Sequence, residues 1–134
     1  MKWLLDTNAC IRYITGVSSN LARRVNAVGF GDLCTCSIVK AEMYFGSAKS
    51  VNPAKSRALQ DAFFALLPSL VFNDAAAEIY GNIRSELAKV GRPIGPNDLM
   101  IASIALANQL TLVTHNTSEF ARVSNLKIED WEIP

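Results

Sequence analysis

Apolar residues along the chain fall into two kinds of block. Short runs at about residues 2–6 (Trp3-Leu4-Leu5), 33–36, Leu70-Val71-Phe72, Leu110-Thr111-Leu112-Val113-Thr114 and Lys127–Trp131 have the length of strands. The longer blocks between them carry apolar residues at helical spacing. One begins near Thr7. A second, around Asn20–Val28, is closed by Gly29 and Gly31, and a third runs from a capping Ser37 to about Ala48. A fourth opens at Asn52-Pro53, places Leu59, Phe63, Leu66 and Leu67 on one stripe, and stops by Pro68. A fifth is capped by Asp74, lines up Ile79, Ile83, Leu87 and Val90, and ends at Gly91 and Pro93. The sixth, from Asp98 to Ala107, is apolar nearly all round, which is the mark of a helix buried on every side. Strands alternating with helices predict an α/β fold, a parallel sheet flanked by helices on both faces. No repeat, low-complexity tract or long linker divides residues 1–134, so one domain is expected.

Composition narrows the classes. Half of the 134 residues are hydrophobic and 19% are charged, enough for a sizeable core and too apolar for global disorder. A formal net charge of +1 neither requires nor excludes a nucleic-acid partner. No apolar run reaches the 18 or so residues of a membrane span, and the stretch after Met1 is too short for a signal-peptide core, so a cytoplasmic protein is expected. Cys10, Cys34 and Cys36 with the single histidine, His115, give too few ligands for a Cys/His zinc site. They read as reduced, buried thiols, with Cys34 and Cys36 on one face of their strand.

Four acids then stand out, because each lies beside sequence that looks buried: Asp6, Glu42, Asp98 and Glu119. Each has an ordinary explanation. Asp6 precedes a helix and could simply cap it; Glu42 could be a solvated helix residue; Asp98 sits in a first helical turn, where the macrodipole favours an anion; Glu119 could be a loop charge. Taken together, two follow strands and two lie near helix beginnings. In a parallel sheet those places share one edge, the edge where ligands bind. Converging carboxylates repel: two charges about 4 Å apart cost roughly 4 kcal/mol at an effective dielectric near 20. A divalent cation relieves this, and oxygen-only donors suit Mg2+ or Mn2+. Such ions assist phosphodiester hydrolysis. Paired-histidine chemistry cannot be built from one His, a Ser or Cys nucleophile would also need one, and no glycine-rich phosphate loop is present. His115 is expected at the rim and not as a catalytic base.

The stretches Leu4-Leu5-Asp6-Thr7-Asn8, Ser37-Ile38-Val39-Lys40-Ala41-Glu42 with Gly46, Ile94-Gly95-Pro96-Asn97-Asp98-Leu99-Met100-Ile101-Ala102 and Leu112-Val113-Thr114-His115-Asn116-Thr117-Ser118-Glu119-Phe120 resemble the PIN-domain nucleases. More closely, the chain is similar to the VapC toxins of bacterial toxin–antitoxin pairs, in the branch that cuts initiator tRNA. The resemblance covers essentially the whole chain. It implies a Mg2+-dependent (or Mn2+-dependent) endoribonuclease acting on structured RNA, a cognate VapB-type antitoxin whose tail inserts a cation near the acids, and a homodimer. Asp6 and Asp98 would be the principal metal ligands, Glu42 a third acid, and Glu119 and Asn116 further candidates. The family often carries Asp where this chain has Asn116, which leaves one metal or two as an open question. Thr7, Asn8 and Thr114 would position the acids or water, or merely cap the backbone at strand ends. Arg84, Lys89 and Arg92, with Arg12, Arg23 and Arg24, are candidates for phosphate contact. The alternatives are a PIN-like module kept for protein binding and a structure-specific DNA nuclease. Intact acids at all four positions speak against the first, and 134 residues leave little room for the added helices of the second.

Overall fold

The computed structural model describes residues 1–134. Five short strands, β1 (Trp3–Leu5), β2 (Leu33–Cys36), β3 (Ser69–Leu70), β4 (Thr111–Val113) and β5 (Ile128–Glu129), form one sheet in the order β3-β2-β1-β4-β5. Every pairing is parallel, with Leu4 level with Cys34 on one side and Leu112 on the other. The chain builds outward from β1 through β2 to β3, then returns to the other side of β1 as β4. The strand order therefore reverses between β1 and β4, the position at which open α/β sheets bind ligands.

Seven helices make the connections: α1 (Thr7–Thr15), α2 (Ser19–Val28), α3 (Ser37–Ala48), α4 (Pro53–Phe64), α5 (Asp74–Lys89), α6 (Pro96–Ala107) and α7 (Thr117–Phe120). The helices of the outward path pack together, α1 against α3 and α4 and α3 against α4, while on the return path α5 packs on α6. α6 is buried as its composition demands; Leu99, Ile101, Ala102, Ser103, Ile104 and Ala105 are all inaccessible, and α5 lies along it. The core is continuous from Leu4 and Leu5 through Leu33, Leu112 and Val113 to Phe120 and Trp131. Cys10, Cys34 and Cys36 are reduced and buried in it. Burial pushes all three thiols up, Cys34 to about 12, so none is a ready nucleophile or metal ligand.

Local chemistry moved several boundaries. Asn73, not Asp74, caps α5, because its side-chain oxygen accepts the Ala76 N–H (3.0 Å) and Asp74 falls in the first turn. Ser37 is the first residue of α3, not its cap; the cap position is Cys36, without a side-chain capping hydrogen bond. Proline at the first position starts α6 at Pro96, two residues before Asp98. β3 pairs only through Ser69 and Leu70, so Val71 and Phe72 leave the ladder. Leu59, Leu66 and Val90, expected on buried stripes, are exposed. Phe63, Leu67, Ile83 and Leu87 of the same stripes are buried, as expected. No helix is long and apolar enough to cross a membrane.

Candidate active site

Asp6 is placed by the end of β1. Its backbone N–H continues the ladder to the Val113 carbonyl (3.1 Å), and its side chain then caps α1, accepting the Ala9 N–H at 2.8 Å. The capping explanation of Asp6 thus holds, and it does not compete with a role in the site: one hydrogen bond fixes the carboxylate without using its remaining lone pairs. The group is 6% exposed. Desolvation raises its pKa, with smaller upward pushes from Glu132 and Glu42; hydrogen bonds from Thr114 and the Ala9 amide oppose the shift. Thr114, at the end of β4, also accepts the Asn116 N–H through its hydroxyl (3.0 Å). It therefore links the segment after β4 to Asp6.

Glu42 lies in the second turn of α3, half-buried, and its carboxylate is held from two sides. The Thr7 hydroxyl donates to Oε1 (2.6 Å), and the Asn97 amide reaches Oε2 at 3.5 Å. Asp98 follows Asn97 in the first turn of α6 and is half-buried. Its carboxyl titrates at about 6 against an ordinary 3.8, first because burial disfavours the charge, then because Glu119, Glu42 and Asp6 each repel it. Glu119, in α7, accepts the Gly95 N–H on Oε1 (3.2 Å) and the Asn116 amide on Oε2 (2.7 Å). All four acids thus share one electrostatic neighbourhood at the carboxyl edge of β1 and β4.

They do not collapse into a tight cage. The trio whose ligand atoms lie within 4.8 Å of one another is His115, Asp130 and Glu132, not three of these acids. That trio is internally paired: His115 Nδ1 meets Asp130 Oδ2 at 2.9 Å, the Glu132 N–H donates to Asp130 Oδ1 at 3.0 Å, and Arg12 binds Glu132. His115 itself is exposed at the rim, as expected. Asn8 is exposed beside Thr7 and makes no side-chain hydrogen bond. Of the basic candidates, Arg12 is engaged by Glu132, Arg24 lies against Glu129 and Trp131, and Arg23 bonds Asn20. Arg84 donates to the Tyr80 hydroxyl (2.5 Å), while Lys89 and Arg92 are exposed where α5 runs into the loop before Asp98.

Several contributors carried no signal in the sequence. Asn97 reaches Glu42, Glu132 bears on Asp6, and Arg122 donates to the Pro93 carbonyl (2.9 Å), tying α7 to the loop that leads into α6. Only Asn97, adjacent to Asp98, stood in a stretch that drew attention. The others act across 29 or more positions, where local pattern is silent. Beside Glu42 opens a cleft of about 680 Å³ lined by Thr7, Ile11, Phe45, Lys49 and Asn97.

Comparison with known proteins agrees with this fold. The PIN domain model matches residues 3–126. The chain belongs to the PIN-domain family, among the VapC proteins. It is 40% identical to the tRNA(fMet)-specific endonuclease VapC of Shigella flexneri and 38% identical to that of Salmonella typhimurium, each alignment covering 98% of both chains. Among solved structures, DNA-bound VapBC from Salmonella typhimurium superposes with a TM-score of 0.92 at 38% identity, covering 98% of each chain. VapBC2 from Rickettsia felis, bound to a promoter DNA fragment, gives 0.90 at 34% identity, covering 98% of this chain and 99% of that one. The VapC relatives carry nuclease names, and this VapC-family chain is a nuclease. PIN-domain nucleases use divalent metal ions, and the oxygen-only donors of Asp6, Glu42 and Asp98 suit such an ion.

Proposed function

We propose that the chain is a Mg2+-dependent endoribonuclease toxin, cytoplasmic, that hydrolyses a phosphodiester bond in the anticodon region of initiator tRNA and is held in check by a VapB-type antitoxin. The observation that carries the metal is the convergence of Glu119, Glu42 and Asp6 on Asp98, whose charges add to burial in pushing its carboxyl up to about 6. A folded arrangement that leaves such repulsion uncompensated at neutral pH calls for a cation there.

Asp6, Asp98 and Glu42 would hold the ion, Mg2+ or Mn2+. When bound, it would polarise the scissile phosphate and lower the pKa of a coordinated water. The chain's own part is positional. The Ala9 amide and Thr114 fix Asp6, so it cannot swing away when the charge beside it changes. Thr7 and Asn97 fix Glu42, and Thr7 follows Asp6 directly, so strand β1 and helix α3 are registered through one hydroxyl. Lys89 and Arg92, exposed on the approach to α6, would take RNA phosphates, with Arg84 behind them.

Two features support a protein partner. The relatives of known structure are VapBC complexes. In this chain Ile11, Phe45, Val51 and Leu59 leave apolar surface exposed on α1, α3, the loop after it and α4, next to the cleft that ends at Glu42. An antitoxin segment laid there would bring its cation to the acids. A homodimer is also part of this reading. Cleavage of initiator tRNA by the wild-type protein with Mg2+, mapped by sequencing the new RNA ends, tests the function. No cleavage beyond that of Asp6→Ala protein, or full activity in excess EDTA, defeats it.

A further inference from the structure

Asp98 occupies a position that ordinarily belongs to a helix cap. With Gly95 as the cap of α6 and Pro96, Asn97 and Asp98 as its first three residues, Asp98 is the third helical residue. An acid there commonly reaches back to the N–H of the cap residue, closing a capping box. In this structure it does not. The Gly95 N–H is taken by Glu119 Oε1 (3.2 Å) from α7, and Gly95 has no side chain with which to complete the reciprocal bond.

Glu119 is itself held in place. The Asn116 amide donates to its other oxygen at 2.7 Å, and the Asn116 N–H is anchored on the Thr114 hydroxyl. A second tie runs parallel to it, from Arg122, two residues beyond α7, to the Pro93 carbonyl (2.9 Å). Two side chains of one short segment therefore grip the two ends of Pro93-Ile94-Gly95.

We propose that Glu119 is a positioning residue and not a metal ligand: by taking the Gly95 amide in place of Asp98, it keeps the Asp98 carboxylate free to face Asp6 and Glu42. Asn116, a neutral donor, orients Glu119 for that task, and the metal site is a single-ion site of Asp6, Glu42 and Asp98. This rests on the metal-nuclease reading above.

The test compares wild type, Glu119→Gln and Glu119→Ala by isothermal titration with Mn2+ and by amide hydrogen exchange at Gly95. Gln keeps an acceptor oxygen for Gly95 while losing the charge; its NH2 then faces an Asn116 amide that can turn to present oxygen. One Mn2+ per protomer is expected for wild type, with Glu119→Gln binding within about threefold of it and Glu119→Ala weakened about tenfold or more. Gly95 protection should match wild type in Glu119→Gln, and in Glu119→Ala it should persist only where Asp98 occupies the amide. A crystal structure of Glu119→Ala with Asp98 on the Gly95 N–H would show that takeover directly. Two ions in wild type, a loss in Glu119→Gln as large as in Glu119→Ala, or an unweakened Glu119→Ala would each overturn the proposal. Were wild type to bind no Mn2+, the metal reading itself would fall, and the Glu119→Ala crystal structure would still decide whether Glu119 is the clamp, since Asp98 away from the Gly95 N–H would refute it.

Discussion

Asp98 joins folding at a disadvantage that its chemistry requires. Its carboxyl titrates at about 6 in the folded chain against an ordinary 3.8. The sign follows from proton binding. Between these values the folded state holds the proton more tightly, so the group's contribution to stability is fully present below about pH 4 and is lost as pH rises through 6. Asp98→Asn removes the repelling charge and should stabilise the metal-free protein at pH 7.5, by on the order of 1 kcal/mol once its half-exposed position is allowed for. Little change is expected at pH 4.5, and urea denaturation at the two pH values measures the difference. The same variant, like Asp6→Ala, should lose cleavage by about a hundredfold or more while keeping its circular dichroism spectrum. Stability gained and activity lost together are the mark of a strained functional group. Asn116→Asp works in the opposite direction. It replaces the donor to Glu119 by a second carboxylate 2.7 Å away, and should lower metal-free stability by about 1–2 kcal/mol. A melting temperature unchanged in EDTA would show that the Asn116–Glu119 bond carries no weight.

At the scale of elements, caps and prolines decided what could be seen from sequence alone. Asn52-Pro53 opening α4, Gly29 closing α2 and Gly91 following α5 were legible because each acts through its own backbone; Gly29 and Gly91 adopt positive φ (83° and 66°) that other residues avoid. The start of α5 was read one residue late, because Asn and Asp are both good caps and only geometry separates them. That difference is measurable. Asn73→Ala removes the bond to the Ala76 N–H and should cost about 1 kcal/mol, whereas Asp74→Ala should cost no more than a few tenths through the helix dipole. Equal losses in thermal denaturation would restore Asp74 as the cap. The two-residue β3 was overextended for a different reason. Val71 and Phe72 have strand propensity, but no partner backbone lies beside them. Leu59 in α4 and Leu66 just beyond it are exposed and carry a related lesson: helical spacing marks apolar stripes, and it does not say whether they are covered.

Across the whole molecule, the site exists because the sheet order reverses beside β1. Asp6 leaves β1, Glu119 follows β4, Asp98 opens the helix leading into β4, and Glu42 faces them from α3. The alternation of strands and helices made that common edge legible, since parallel strands put every helix start on one side. Thr7 and Thr114, expected to position the acids or water or merely to cap strand ends, meet Glu42 and Asp6, but which acid each meets, like Arg12 on Glu132, depends on pairings of segments far apart in sequence and was not legible. Carboxylates brought together from three distant parts of the chain, Asp6, Glu42 and Asp98, make the molecule's stability a reporter of ion binding. Mg2+ that binds only the folded chain stabilises it by about 2.7 kcal/mol at a concentration one hundred times its dissociation constant. At roughly 3–5 °C per kcal/mol for a domain of this size, the melting temperature should rise by about 10 °C at pH 7.5. At pH 5 the proton on Asp98 competes with the ion, so the same Mg2+ concentration should give less than about half that rise. Asp98→Asn should give almost none at either pH, because the ligand that couples the ion to the proton is gone. Scanning calorimetry of the two proteins at the two pH values completes the test. A rise equal at both pH values, or preserved in Asp98→Asn, would place the ion somewhere other than this edge of the sheet.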